Sequence, residues 1–285
     1  MTAGALAASG RSFLASRDVP EPAASAEFLS AAALGVSRGE LMARPDLPVG
    51  WVARLRFWRW VWRRSRRFPL GHILGSQPFM GMELEVSSKV LIPRPETEEV
   101  VGAALDLLRA SSAPGRTARC VDLGTGSGCI ALALARHAAD ARIVGVDASG
   151  AALRVARRNA RRQGVSGQTR WLRADFSRPL PAWLQGADLV VSNPPYIPSG
   201  RIPRLDPEVR REPRAALDGG PDGLAAIRAV VARARELLPP GGRLVLEIDE
   251  GLGRACLAFM EAAGFQARRI LRDCRGLERV ALGRK

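Results

Sequence analysis

The sequence predicts an α/β protein: a mostly parallel sheet with helices on both faces, preceded by a small helical region. Two observations carry this expectation. From Ala118 onward, short apolar runs alternate with longer stretches of helical periodicity, the pattern of strands joined by crossover helices. Residues 1–70 are instead rich in Ala and Arg, with apolar residues three and four apart, which is helical spacing.

In chain order, a first helix is expected over Ala23–Leu34 and a short one over Arg38–Ala43, stopped by Pro45. A third is expected over Val49–Phe68, ended by Pro69. It carries Trp51, Leu55, Trp58 and Trp62 at spacings of four, three and four, a stripe expected to face the core. Arg54, Arg56, Arg59, Arg63, Arg64, Arg66 and Arg67 fill most of the rest. That basic face is either simply solvated or a docking surface for an acidic or RNA-bearing partner. Alternation in Phe79–Val86, followed by Lys89–Ile92, suggests a β-hairpin, and Pro93 and Pro95 lead into a helix starting near Glu96. The expected division is a helical region at 1–72, a hairpin linker at 73–95 and an α/β domain at 96–285.

In the α/β part, strands are expected at Arg119–Leu123, Arg142–Val146, Thr169–Arg173, Ala187–Ser192 and Arg243–Ile248. Helices follow at Cys129–His137, Ala151–Gln163, Gly223–Leu238 and Leu252–Ala263. Gln266–Leu271 and Arg279–Leu282 could close the sheet as an antiparallel pair.

Composition excludes several classes. No apolar run approaches the ~18–20 residues that span a bilayer. The four cysteines form no C-x-x-C pair, and with only two histidines no metal constellation can be written. The first residues lack the basic start and apolar core of a secretory signal, although Arg11, Arg17 and several serines ahead of Asp18 leave a transit peptide as an alternative. The formal net charge is +15, carried almost wholly by arginine. It is compatible with a nucleic-acid, ribosomal or acidic protein partner and equally with the codon bias of a GC-rich genome.

The candidate chemistry lies at the carboxyl ends of the expected strands, where ligands bind in open α/β sheets. The first strand continues into Gly124-Thr125-Gly126-Ser127-Gly128 and then a helix. Glycines there allow a tight turn and a close approach to a ligand, and the helix N-terminus offers N–H groups to a carboxylate. A dinucleotide fingerprint would need glycine at 129, where this chain has Cys129. Asp122, Asp147 and Asp175 recur at successive strand ends, the last beside Phe176. Together they describe a nucleoside ligand with a carboxylate-bearing tail: Asp147 for the ribose hydroxyls, Asp175 and Phe176 for the base. The fourth strand ends in Asn193-Pro194-Pro195-Tyr196. The prolines stiffen the loop and lack N–H groups, so carbonyls and the Asn193 side chain present acceptors. Two acceptors converging on an NH₂ group would hold its nitrogen towards an electrophilic methyl, with Tyr196 stacked on the planar group. No general base is evident.

These residues resemble the PrmC/HemK family, the peptide chain release factor glutamine methyltransferases. The resemblance covers PLGHILGSQPFMG (69–81), VLIPRPETEEV (90–100), VDLGTGSGCIALALA (121–135), VGVDAS (144–149), DLVVSNPPYIP (188–198), EPRAALDGGPDGL (212–224) and ERVALG (278–283). NPPY alone is shared with other amino-methyltransferases; IPRPETE and the EPRAALDGGPDGL segment are far more specific. The resemblance implies a Rossmann-like, seven-stranded, class I methyltransferase domain with an amino-terminal helical docking domain and a hairpin linker. It implies S-adenosyl-L-methionine as cofactor, the glutamine of the Gly-Gly-Gln motif in class 1 peptide chain release factors as substrate, and methylation of its side-chain amide nitrogen. Carried over by position, Gly124–Gly128, Asp147, Phe176 and Asn193 are expected to contact the cofactor, Arg94, Pro95, Glu96 and Thr97 to line its pocket near the methionine end, and Asn193–Tyr196 to hold the glutamine. Phe176 stands where the family commonly has tryptophan, and His72 where it usually has tyrosine. A monomer in the bacterial cytoplasm is expected, with a mitochondrial location as the alternative. The competing substrates are a ribosomal-protein glutamine or an amine of RNA or DNA, and a non-catalytic cofactor-binding module is the competing class.

Overall fold

The computed structural model describes residues 1–111 and 116–285. The chain forms two compact units, Met1–Ser76 with Asp206–Arg211, and Gln77–Leu205 with Glu212–Lys285.

The first unit is built from helices α1 (Ala3–Ala15), α2 (Pro22–Leu34), α3 (Arg38–Ala43), α4 (Trp51–Ser65) and α5 (Leu70–Leu74). Helix α1 lies in the region expected to be helical, in a stretch where the sequence marks no individual helix and leaves a transit peptide as an alternative. It starts at Thr2, whose hydroxyl accepts from the Ala5 N–H at 3.3 Å, an ordinary N-cap. Its Gly10 permits a close crossing, because a Cβ there would lie 2.4 Å from the Phe57 ring. Leu6, Leu14, Ala26, Leu29, Phe57 and Val61 form the core.

The expected core stripe of α4 is corrected by the structure. Trp51, Leu55 and Trp62 are 74%, 62% and 51% exposed, and only Trp58 packs against the core. The helix instead buries Phe57, Val61 and Arg64, also spaced by four and three. Two stripes on neighbouring faces satisfy the same periodicity; the space left by Gly10 selects the one carrying Phe57.

Arg64 is buried and makes four hydrogen bonds. It donates to Ser25 Oγ at 3.1 Å, to the carbonyls of Phe68 and Pro20 at 3.3 Å each, and to Glu208 Oε1 at 2.6 Å. Arg67 donates to the same Glu208 oxygen at 2.5 Å. Burial pushes the Glu208 carboxyl up, but these two guanidiniums hold it below its ordinary range. The pairing explains why Asp206–Arg211, remote in sequence and expected within the α/β domain, belongs to the helical unit. Arg64→Met keeps the packing of the stem and removes the donor from the buried Ser25 hydroxyl and from the partly buried Phe68 and Pro20 carbonyls. It is expected to cost about 2 kcal/mol of stability, measured as a lower urea midpoint.

In the second unit, β1 (Ser76–Phe79) and β2 (Met82–Glu85) pair across a Met80-Gly81 turn. Both turn residues have positive φ, 48° and 71°, as a two-residue hairpin turn requires. Lys89–Ile92 is irregular rather than a strand. The main sheet uses β3 (Ala118–Leu123), β4 (Ala141–Asp147), β5 (Thr169–Arg173), β6 (Leu189–Ser192), β7 (Arg243–Glu247), β8 (Gln266–Arg272) and β9 (Glu278–Arg284). Their order is β5-β4-β3-β6-β7-β9-β8. The first five are parallel, and β9 runs antiparallel to both β7 and β8.

Helices α6 (Thr97–Ser111), α7 (Cys129–His137), α8 (Gly150–Arg162), α9 (Ala225–Leu237) and α10 (Gly253–Ala262) cover the sheet. Because side chains alternate along a strand, the central strands feed two cores. Cys120, Leu189, Val191, Val245 and Val280 pack with α6 and α7. Val121, Val190, Leu244, Leu246 and Ala281 pack with α9 and α10. Strand β6 is buried along its whole length, which is why its sequence shows no alternation. Helix α8 divides sharply, with Ala152, Leu153, Val155, Ala156 and Ala160 buried and arginines over the rest. None of the described helices is long and apolar enough to cross a membrane.

Candidate active site

The carboxyl ends of β3, β4, β6 and β7 converge on one region of the second unit. Leaving β3, the chain turns through Gly124, Gly126 and Gly128 with φ of 77°, 57° and 84°. Such angles are strained for any residue with a Cβ. The loop is pinned from both sides. Thr125 Oγ1 donates to Asp122 Oδ2 at 2.6 Å, and the Gly126 N–H donates to Asp147 Oδ2 at 2.9 Å.

Asp122, grouped by sequence with the ligand-facing acids, is therefore part of the scaffold: it is fully buried. Thr125 and Ser127 are also buried, so their side chains lie beneath the loop and only its backbone faces outward. Burial raises the Asp122 carboxyl to about 7. Between its unfolded value near 4 and about 7, the folded state holds a proton that the unfolded chain has lost. Stability on this account is full in acid and declines as pH rises to about 7. Asp122→Asn removes that slope. The variant is expected to gain on the parent between pH 5 and pH 8 by up to about 3 kcal/mol, read from denaturant midpoints at the two pH values.

Asp147 ends β4 half-buried. Its Oδ1 accepts from the Ser149 N–H at 2.8 Å and its Oδ2 from Gly126. Burial raises it from the ordinary carboxylate value. Each oxygen has a further lone pair, enough for a vicinal diol. Phe176 approaches the glycine loop: a Cβ on Gly124 would lie 3.5 Å from its ring and 4.0 Å from the Asn193 carbonyl. Glycine at 124 thus keeps open a cradle between a flat ring, a carbonyl and a carboxylate, which fits a nucleoside. Asp175 is exposed and closes a turn, accepting from the Ser177 N–H at 2.8 Å. Hydrogen bonds from Ser177 hold it below the usual range.

The Asn193–Tyr196 loop follows β6, whose last residue is locked by Ser192 Oγ donating to the Leu123 carbonyl at 2.6 Å. On its far side the loop rests on Gly219 and Gly223. A Cβ at these positions would lie 2.8 Å from Tyr196 Cα and 2.4 Å from the Tyr196 carbonyl oxygen. A parallel bridge, Ile197 to Asp218, continues the contact, with Ile197 N–H on the Leu217 carbonyl and Gly219 N–H on the Ile197 carbonyl.

The segment before α6 meets the same region. Arg94 pairs with the Glu212 carboxylate, whose Oε2 also accepts the Ile92 N–H at 2.8 Å. Burial raises Glu212, and Arg94 opposes this. The Arg94 guanidinium is thus committed to a protein partner, and Pro95 is exposed. Thr97 is buried and bridges two groups: it accepts from Asn193 Nδ2 at 3.1 Å and donates to Glu247 Oε2 at 2.7 Å. The Tyr196 hydroxyl reaches Glu247 Oε1 at 3.4 Å. Reasoning from individual residues passed over Glu247, Glu212, Gly219 and Gly223. The last three lie in the 212–224 segment that carries the family resemblance, whereas Glu247 lies outside every such segment, and no local pattern marks a buried acid at the end of β7 as a neighbour of Asn193.

Comparison with known proteins finds matches over most of the chain. A model of the PrmC N-terminal domain matches residues 5–75, and a model of the methyltransferase small domain matches residues 101–203. The release factor glutamine methyltransferase of Moorella thermoacetica is 42% identical over 94% of this chain and 93% of its own length. That of Geobacter sulfurreducens is 42% identical over 96% and 93%. Among solved structures, the ribosomal protein L11 methylase of Lactobacillus delbrueckii subsp. bulgaricus superposes with a TM-score of 0.50 at 17% identity, covering 73% of this chain and 90% of that one; the likeness is one of fold.

Proposed function

Because the chain belongs to the release factor glutamine methyltransferase family, we propose that it methylates the side-chain amide nitrogen of the glutamine in the Gly-Gly-Gln motif of class 1 peptide chain release factors. The observation that carries this reading is the Asn193–Tyr196 loop held between Thr97 and the Gly219–Gly223 turn, next to a cradle suited to a nucleoside. In a bacterial cell the chain works as a cytoplasmic monomer.

S-adenosyl-L-methionine supplies an electrophilic methyl on a sulfonium. Asp147 would hold the ribose diol, Phe176 would offer a face to the base, and the backbone from Gly124 to Gly128 with the first turn of α7 would receive the amino-acid end. The Asn193 side chain and the Pro194 carbonyl accept the two N–H bonds of the substrate amide, and Tyr196 covers its plane. An amide nitrogen is a poor nucleophile, so orientation is the main lever; well-placed reactants gain up to roughly 7–11 kcal/mol. As the nitrogen gains positive charge in the transition state, the same acceptors stabilise it. Burial lifts the Tyr196 phenol above its ordinary value, so it stays neutral and serves by packing.

The test is methyl transfer from labelled cofactor to a recombinant class 1 release factor, alongside one whose Gly-Gly-Gln glutamine is replaced by alanine. Label on the first and not on the second is the expected result. Equal label on both, or none on either, overturns the assignment.

A further inference from the structure

Asn193 touches the substrate amide in the reading above, and an asparagine side chain has two unlike ends. Only one orientation presents an acceptor; the reverse would present an NH₂ group to another NH₂ group. The structure contains a device that decides between them. The Asn193 Nδ2 donates to Thr97 Oγ1 at 3.1 Å, and Thr97 Oγ1 donates to Glu247 Oε2 at 2.7 Å. Thr97 and Glu247 are each 1% exposed, so water does not substitute for either partner.

The direction of these bonds follows from chemistry. An ionised carboxylate only accepts. Glu247 therefore claims the one proton of Thr97, and the Thr97 oxygen becomes an acceptor. An acceptor there holds the NH₂ end of Asn193 and leaves Oδ1 as the end not committed to the protein. We propose that Glu247 and Thr97 are positioning residues that impose a polarity on Asn193, so that the site receives a planar group bearing two N–H donors and rejects one presenting acceptors. This rests on the assignment of Asn193 to the substrate amide.

The relay requires an ionised Glu247, the form that prevails above about pH 7. Burial raises it to about 7, while Thr97, Arg279 and Tyr196 favour its charge and Glu96 opposes it. Arg279, on β9, is shared with Asp273 at 3.2 Å and Asp249 at 3.8 Å. A protonated Glu247 can itself donate to Thr97, which frees the Thr97 proton for Asn193 Oδ1 and reverses the amide.

The experiment compares Thr97→Val, Thr97→Ser and Glu247→Gln in the full chain by two readouts. One is kcat and KM for the release factor across pH 6 to 9. The other is the side-chain amide NMR signals of Asn193 without substrate. Thr97→Val is expected to lower kcat by ~10²-fold, as for loss of one oriented hydrogen-bonding group in an active site, with KM far less affected and the Asn193 signals shifted. Thr97→Ser restores both. Glu247→Gln keeps an acceptor for Thr97 but cannot ionise, so it removes the rise in kcat through about pH 7. Unchanged kcat and unchanged Asn193 signals in Thr97→Val overturn the relay, as does an equal loss in Thr97→Ser. If the parent methylates no release factor, the substrate assignment falls, and the NMR arm still decides the relay on its own.

Discussion

Replacing Asn193 by alanine is expected to lower kcat for release-factor methylation by ~10²–10³, equivalent to about 2.7–4 kcal/mol of transition-state stabilisation. The side chain lies at the end of β6, anchored on Thr97, and no second side chain in the described loop replaces its acceptor. The loss belongs in kcat more than in KM, because charge on the attacking nitrogen develops only as the methyl transfers. Stability changes little, since Asn193 is only partly buried. A variant that kept kcat within a few fold of the parent would remove Asn193 from the chemistry.

Gly223→Ala is the second large effect, and it acts without touching substrate. The φ of Gly223 is 77°, and a Cβ would lie 2.4 Å from the Tyr196 carbonyl oxygen and 3.1 Å from Pro198 Cδ. Nearby groups are backbone and a proline ring, which cannot rotate away. The left-handed conformation costs roughly 1–2 kcal/mol and overpacking typically about 1–3 kcal/mol more. The chain relieves part of this by pushing the Asn193–Tyr196 loop aside, and a displacement of ~1 Å at a reacting group can cost ~10²-fold. The expected outcome is a fall in kcat/KM of ~10² together with a lower Tm. Gly251→Ala is the control, since its φ of 81° is similar but no atom lies within 4 Å. Comparable activity losses in both variants would show that steric support of the loop is not the cause.

Much of the α/β unit was legible because its signals are local. Thr169–Arg173 and Cys129–His137 were delimited to the residue, and the terminal antiparallel pair was anticipated, since an apolar run bounded by turn residues needs no tertiary context to be recognised. The glycine loop and the Asn-Pro-Pro-Tyr loop are likewise contiguous, so their chemistry could be written from residue types. The family resemblance added a substrate class that no local reading of residues supplies.

Other features depended on what the chain meets in space. Periodicity allowed two faces of α4 to be the buried one, and Gly10 on another helix chose between them. Glu208 joins the helical unit because a buried guanidinium on α4 and a partly buried one just beyond it hold its carboxylate, a pairing across more than a hundred residues. Asp122 occupies a strand end as Asp147 does, yet it is sealed beneath the loop. Sequence by itself determined the order of the elements, the kind of sheet, and the two loops to which the chemistry is assigned in the proposed function, since each depends on near neighbours in the chain. Tertiary structure alone decided which acids are buried, which face of α4 is exposed, and how Thr97 and Glu247 orient Asn193. These depend on contacts between distant segments, and a hydrogen bond has a direction only once both its partners are in place.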